Sequence, residues 1–167
     1  DGNMTWLVFA GGGLFVIWPV VYATAFSGMY AAMLCILWSL FFRPTGFDYR
    51  SKLKSHAWRR FWDLGLLVSG GLPVLIFGIV MGNCMLGFPF HFDTITFRDF
   101  YTGNFGDLLS VFAILTGIVS LLMILMHGAA YMQRRTEDHL RQLAHKLFYI
   151  FTVLVLIAFT IAGLLVA

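Results

Sequence analysis

Charge is scarce in this sequence. Of its 167 residues only 11% are Asp, Glu, Lys or Arg, against about a quarter in soluble domains. Water is therefore not the main solvent of the fold. Cysteine is almost absent: Cys35 and Cys84 both fall inside apolar stretches, without a CxxC spacing or a nearby histidine pair. This excludes a disulfide framework and a thiolate metal site, and both are expected to be small core residues. The net charge of +3 is too small to indicate nucleic acid. No internal repeat, phosphate loop, nucleophile with its base, or metal cluster stands out. The first residue is Asp1, with neither a basic leader nor a small-residue cleavage site, so the chain is expected to be part of a longer one.

What is present is apolar. Hydrophobic residues make up 60%, phenylalanine alone contributes 18, and the mean hydropathy is +0.85. The sequence thus predicts an all-α integral membrane protein, because helices satisfy their own backbone in lipid. Five stretches are long enough to cross a bilayer, at approximately 2–19, 21–42, 62–87, 107–132 and 144–167. Together they predict one transmembrane helical bundle over residues 1–167. The first ends at Trp18-Pro19 and the second at Arg43-Pro44, while Pro73 inside the third is expected to kink it.

Arginine and lysine set the orientation. The connection after the second stretch carries Arg43, Arg50, Lys52, Lys54, Arg59 and Arg60, and that after the fourth carries Arg134, Arg135, Arg141 and Lys146. Both are expected on the cytoplasmic side. The connection from Gly87 to Asp107 has one arginine against three aspartates and belongs outside. Small residues at Gly11 to Gly13, at Ala23, Ser27 and Ala31, and at Gly78 and Gly82 permit close helix contact.

This topology brings Asp1, Arg43 and Asp63 to one cytoplasmic level. A carboxylate there can take up and release protons, with an arginine beside it to hold its charge or position water. The same residues also suit helix ends, aspartates as N-caps and an arginine at a C-terminus, and spacing leaves both readings open. His127 is the one histidine in the interior half of a stretch. It is a conceivable haem ligand, but it has no second interior histidine to pair with, which favours a structural role. His56, His91, His139 and His145 fall in connections. Trp18 and Tyr22 on the outer side, with Tyr49, Trp58 and Trp62 on the inner, read as interfacial belts. The segment from Gly87 to Asp93 is too aromatic for an idle linker and is expected to pack on a neighbouring subunit.

In these residues the sequence resembles subunit II of the cytochrome bd-type quinol oxidases. The resemblance lies in Asp1-Gly-Asn, Ala10-Gly-Gly-Gly-Leu-Phe15, Trp18-Pro19-Val-Val-Tyr-Ala23 and Ala25-Phe-Ser-Gly28. It continues through Phe42-Arg43-Pro44-Thr-Gly-Phe-Asp48-Tyr-Arg50-Ser-Lys52, Trp58-Arg59 and Trp62-Asp63. Further on come Gly82-Asn83, Gly87-Phe-Pro-Phe90, Tyr101-Thr-Gly-Asn104 and Gly128-Ala-Ala-Tyr131. It covers nearly the whole chain in order and fades only in the last stretch.

The resemblance implies a complex of the bacterial cytoplasmic (inner) membrane that oxidises quinol and reduces dioxygen to water, drawing protons from the cytoplasm. Haems b and d are implied on a partner, subunit I. This chain is implied to scaffold that partner, to bind no haem itself, and to contribute Asp1, Arg43 and Asp63 to a proton path. It is not catalytic alone. Membrane lipids, a small accessory subunit and a structurally bound quinone fit the same picture, and nucleic acid does not. The alternative is a transporter or channel segment using the same charged cluster, which an inverted repeat with paired broken helices would favour.

Overall fold

A computed structural model describes residues 2–93, 98–103 and 105–166. Six α-helices follow in order: α1 (Gly2–Ile17), α2 (Pro19–Gly28), α3 (Tyr30–Tyr49), α4 (His56–Leu86), α5 (Val111–Arg135) and α6 (Asp138–Val166). The helices α3, α4, α5 and α6 are long and apolar enough to cross a membrane, and α1 contains a shorter apolar run, Val8–Ile17. The protein is an all-α, multi-pass membrane bundle, and its many exposed Leu, Ile, Val and Phe side chains are what lipid contact requires.

The first two stretches differ from the sequence expectation at their ends. At 16 residues, α1 is about 24 Å long and shorter than the hydrocarbon core. It stops because Trp18 precedes Pro19, which disfavours helical dihedrals, and Trp18 takes φ −133° and ψ 71°. The second stretch is not one helix. It breaks at Met29, whose φ of −105° and ψ of 23° separate α2 from α3. Nor does it end at Arg43-Pro44: α3 runs through Pro44 to Tyr49. A proline removes one ladder bond rather than ending a helix outright, and α3 is held beyond it by α4. At Gly46 an added Cβ would lie 2.8 Å from Leu66 Cδ2.

The centre of the bundle is the α4–α5 seam. A Cβ on Gly78 would meet Gly117 Cα at 2.7 Å, and one on Gly82 would meet Ala113 Cα at 2.9 Å. Across this contact Thr116 Oγ1 donates to the Gly78 carbonyl at 3.0 Å and Ser120 Oγ to that of Val74 at 3.3 Å. The buried Asn83 amide donates to the carbonyls of Ile79 and Leu108, at 2.9 and 2.7 Å. A small core of Met29, Ala32, Ile36, Ile76 and Leu108 joins α3 to this seam. The α4 helix continues through the buried Pro73. Cys35 and Cys84, expected in the core, are instead free and exposed. Lipid imposes no cost on an apolar surface residue, so small apolar side chains need not be buried.

The outer connection also folds on its own chain. Gly87, with φ 88°, turns the backbone out of α4. Strands β1 (Phe90–Asp93) and β2 (Arg98–Tyr101) then pair antiparallel, with Phe90 opposite Tyr101. Tyr101 packs against Gly28 of α2, so close that a Cβ there would lie 2.9 Å from its ring. Burial of the Tyr101 phenol, and secondarily the Asp107 carboxylate, push its pKa above the ordinary value.

Candidate functional site

The charged level foreseen in the sequence is built around the α3–α4 turn. Asp63 lies two turns inside α4, since that helix begins at His56 with Ser55 at its N-cap. It therefore does not cap a helix. Arg43 is likewise not terminal, because α3 continues to Tyr49. The capping reading fails for both residues, and each stands in a helix interior. Asp1 lies outside the described residues.

Asp63 pairs with Arg50, a residue that the sequence reading counted only as loop charge. Arg50 Nε donates to Asp63 Oδ1, and Nη2 reaches Oδ2 at 3.4 Å. Arg50 caps the C-terminus of α3 with helical dihedrals, seven residues after Arg43, two turns that return to nearly the same face. The signal that could have found Arg50 was this spacing, hidden by the assumption that Pro44 ended the helix. The hydrogen bond that Arg50 donates to Asp63, followed by the carboxylate's charge, raises the guanidinium pKa of Arg50 above its ordinary value, so it stays a cation at any working pH. The side chains of Arg50 and Asp63 are 50% and 49% exposed. Screening keeps so open a pair nearly neutral for stability, but leaves the carboxylate within reach of bulk protons.

Aromatic side chains hold this corner in shape. Trp58 Nε1 donates to the Tyr49 carbonyl at 2.8 Å, across the turn. Tyr49 stacks on Trp62 with centroids 5.8 Å apart, and Trp58 and Phe61 meet Trp62 edge-on. Lys52 Nζ sits 4.1 Å above the Tyr49 ring. The Trp62 indole N–H, one residue from Asp63, is buried without an acceptor among the described residues. An unpaired buried donor costs about 1–3 kcal/mol, which marks a corner that the described residues do not complete by themselves.

His127 lies on an exposed face of α5, and His91 is exposed on β1. No group of three or more His, Cys, Asp or Glu gathers as a metal-binding set among the described residues.

These features define a multi-pass membrane subunit with an ionisable corner at its arginine-rich end. A family model, cytochrome bd terminal oxidase subunit II, matches residues 1–167, and the chain belongs to that family. It is 47% identical over 163 residues to the probable cytochrome oxidase subunit 2 of Haemophilus influenzae and, to the same extent, to the cytochrome bd-I ubiquinol oxidase subunit 2 of Escherichia coli K12. Each match covers 98% of this chain and 43% of the relative. The cytochrome bd ubiquinol oxidase subunit 2 of Bacillus subtilis is 27% identical over 147 residues, which is 88% of this chain and 42% of that protein. The chain thus spans less than half the length of these curated relatives. Family and helices together place it in the bacterial inner membrane.

Proposed function

We propose that this chain is part of the non-haem subunit of a quinol oxidase that reduces dioxygen to water, and that its cytoplasmic corner takes up protons for that reaction. The observation that carries the reading is the half-exposed Asp63 carboxylate tethered by Arg50, in a chain of the bd subunit II family. The names of the Escherichia coli and Bacillus subtilis relatives specify ubiquinol, which is the quinol proposed here. Haems b and d belong to the partner, subunit I. They supply the electron transfer and the oxygen chemistry, and no step is routed through this chain's exposed His127. A small accessory subunit, a bound structural quinone and lipids complete the assembly.

In this reading Asp63 exchanges protons with the cytoplasm, while Arg50 holds the carboxylate at the end of α3 and supplies a fixed positive charge. Arg43, exposed on α3 two turns before Arg50, adds a second positive charge to that face. Asp1, at the cytoplasmic end of the first apolar stretch, continues the relay.

The test is made in the full-length complex. Asp63→Asn and Asp1→Asn are each expected to slow oxygen reduction about tenfold or more while leaving the haem spectra intact. Asp63→Glu is expected to retain most of the turnover. An unchanged turnover number in either asparagine variant removes that aspartate from the path. Failure of the full-length protein to co-purify with a haem-bearing quinol oxidase would overturn the functional reading as a whole.

A further inference from the structure

The second arginine-rich end of the bundle has no part in the corner just described. There α5 finishes at Arg135 and α6 starts at Asp138. Gln133 and Arg134 on the last turn of α5 face Arg141, Gln142 and His145 on the first turns of α6, around an open cavity of about 460 Å³. The cavity has a built wall: Gln133 Nε2 donates to the Ala144 carbonyl at 3.3 Å, tying the two helices together beside it. Neither Arg134 nor Arg141 has an ion pair among the described residues, although Glu137 lies in the intervening turn and Asp138 opens α6. Two guanidinium groups without an ion pair among the described residues therefore share one concave space, whose surface is largely the carbon of these polar side chains.

Depth identifies the occupant. The apolar run of α6 resumes at Leu147, six residues after Arg141, so Arg141 stands about 9 Å below the hydrocarbon edge. The polar headgroup zone is about 5–8 Å thick on each side, and long basic side chains reach toward it. Tyrosines stand on the membrane side of this cavity on both helices. Tyr131 lies under the Arg135 guanidinium at 5.7 Å, and Tyr149 meets the His145 ring at 4.9 Å.

We propose that this cavity binds the phosphate headgroup of an anionic phospholipid of the cytoplasmic leaflet. Arg134 and Arg141 carry the charge recognition, with donors in a planar fork suited to phosphate oxygens. Gln133, Gln142 and His145 line the headgroup space. A zwitterionic lipid brings its own cation and leaves the two arginines uncompensated, so the site discriminates by net charge. The inference rests on the membrane topology and not on the proposed oxidase activity, and its readout is bound lipid rather than turnover.

The experiment uses the delipidated full-length complex in phosphatidylcholine nanodiscs, titrated with phosphatidylglycerol and with cardiolipin, bound lipid being counted by native mass spectrometry. The parent is expected to retain anionic lipid saturably. Each basic side chain at a membrane surface contributes about a factor of five, so Arg134→Gln with Arg141→Gln is expected to weaken binding about 30-fold. The single variants are expected to lose about fivefold each and keep the test decisive where the double variant does not assemble. Arg59→Gln with Arg60→Gln, in the other basic connection, is expected to bind as the parent does. Equal retention by parent and Arg134 or Arg141 variants overturns the site, and so does equal loss in the Arg59 and Arg60 control. Inorganic phosphate binding as tightly as the lipid would make it a free-anion site and overturn the lipid assignment. Protection of both arginines from phenylglyoxal in the delipidated complex would mean that protein covers them, and would also overturn it.

Discussion

Gly11, Gly12 and Gly13 in α1 and Gly78, Gly82 and Gly117 in α4 and α5 give two regions of the chain the same small-residue character. Their surroundings are opposite. An added Cβ at any of the three α1 glycines meets nothing within 4 Å, whereas at Gly78, Gly82 or Gly117 it collides with the facing helix at under 3.0 Å. The α4–α5 seam also carries two interhelical hydrogen-bonding side chains, Thr116 and Ser120, with Asn83 tying α4 to the segment just before α5, while α1 packs chiefly on the adjacent α2. Small residues permit close approach without causing it. What decides is whether the facing helix brings donors to the carbonyls that the glycines expose.

The largest effect is expected where this contrast is sharpest. Gly82→Val in the full-length protein forces two methyl groups into the space of Thr116 and Ala113, and is expected to destabilise by about 3 kcal/mol or more. A thermal unfolding scan in detergent would read this as a large fall in Tm, and an unchanged Tm would break the account of the seam. Asn83→Ala comes next, since it leaves the buried Leu108 carbonyl without its donor. A loss of about 1–2 kcal/mol is expected, checked by the same scan, and Asn83→Asp should not rescue it because a carboxylate cannot donate. The smallest effect belongs to Gly12→Ala. With open space around it, the change is expected to be neutral or stabilising by up to about 1 kcal/mol. A clear fall in Tm there would show that the remainder of the protein packs on α1 as tightly as α5 packs on α4.

Much of the architecture was legible because hydrophobic length is a direct readout of a bilayer. The stretches that became α4, α5 and α6 follow from apolar run and flanking charge alone. The helix ends were not legible, since they depend on what a helix packs against. Pro44 looked like a stop, and contact between Gly46 and Leu66 carried α3 past it. The boundary at Trp18-Pro19 was legible from the proline, but the break at Met29 inside the second stretch was not, because hydropathy is insensitive to backbone dihedrals. The hairpin at Phe90–Tyr101 was hidden for a related reason: aromatic content announced packing but did not say on what. At the site, the level shared by Arg43 and Asp63 was visible from topology. The pairing of Asp63 with Arg50 was not, because it required knowing that α4 begins a full two turns before Asp63.

The Trp58 hydrogen bond and the Tyr49–Trp62 stack close the six-residue turn between α3 and α4 at two points, and the Arg50–Asp63 pair closes it at a third. In mechanical terms this is a clasp. Swinging α4 against α3 would have to break the Trp58 hydrogen bond and part the Tyr49–Trp62 stack, with the exposed ion pair adding direction more than strength. The chain is thinner at Trp18 and Met29, where α1, α2 and α3 meet end to end. Even there i→i−4 hydrogen bonds run across each joint, and Met29 is anchored in the core, so the direction of the chain changes without a loss of backbone pairing.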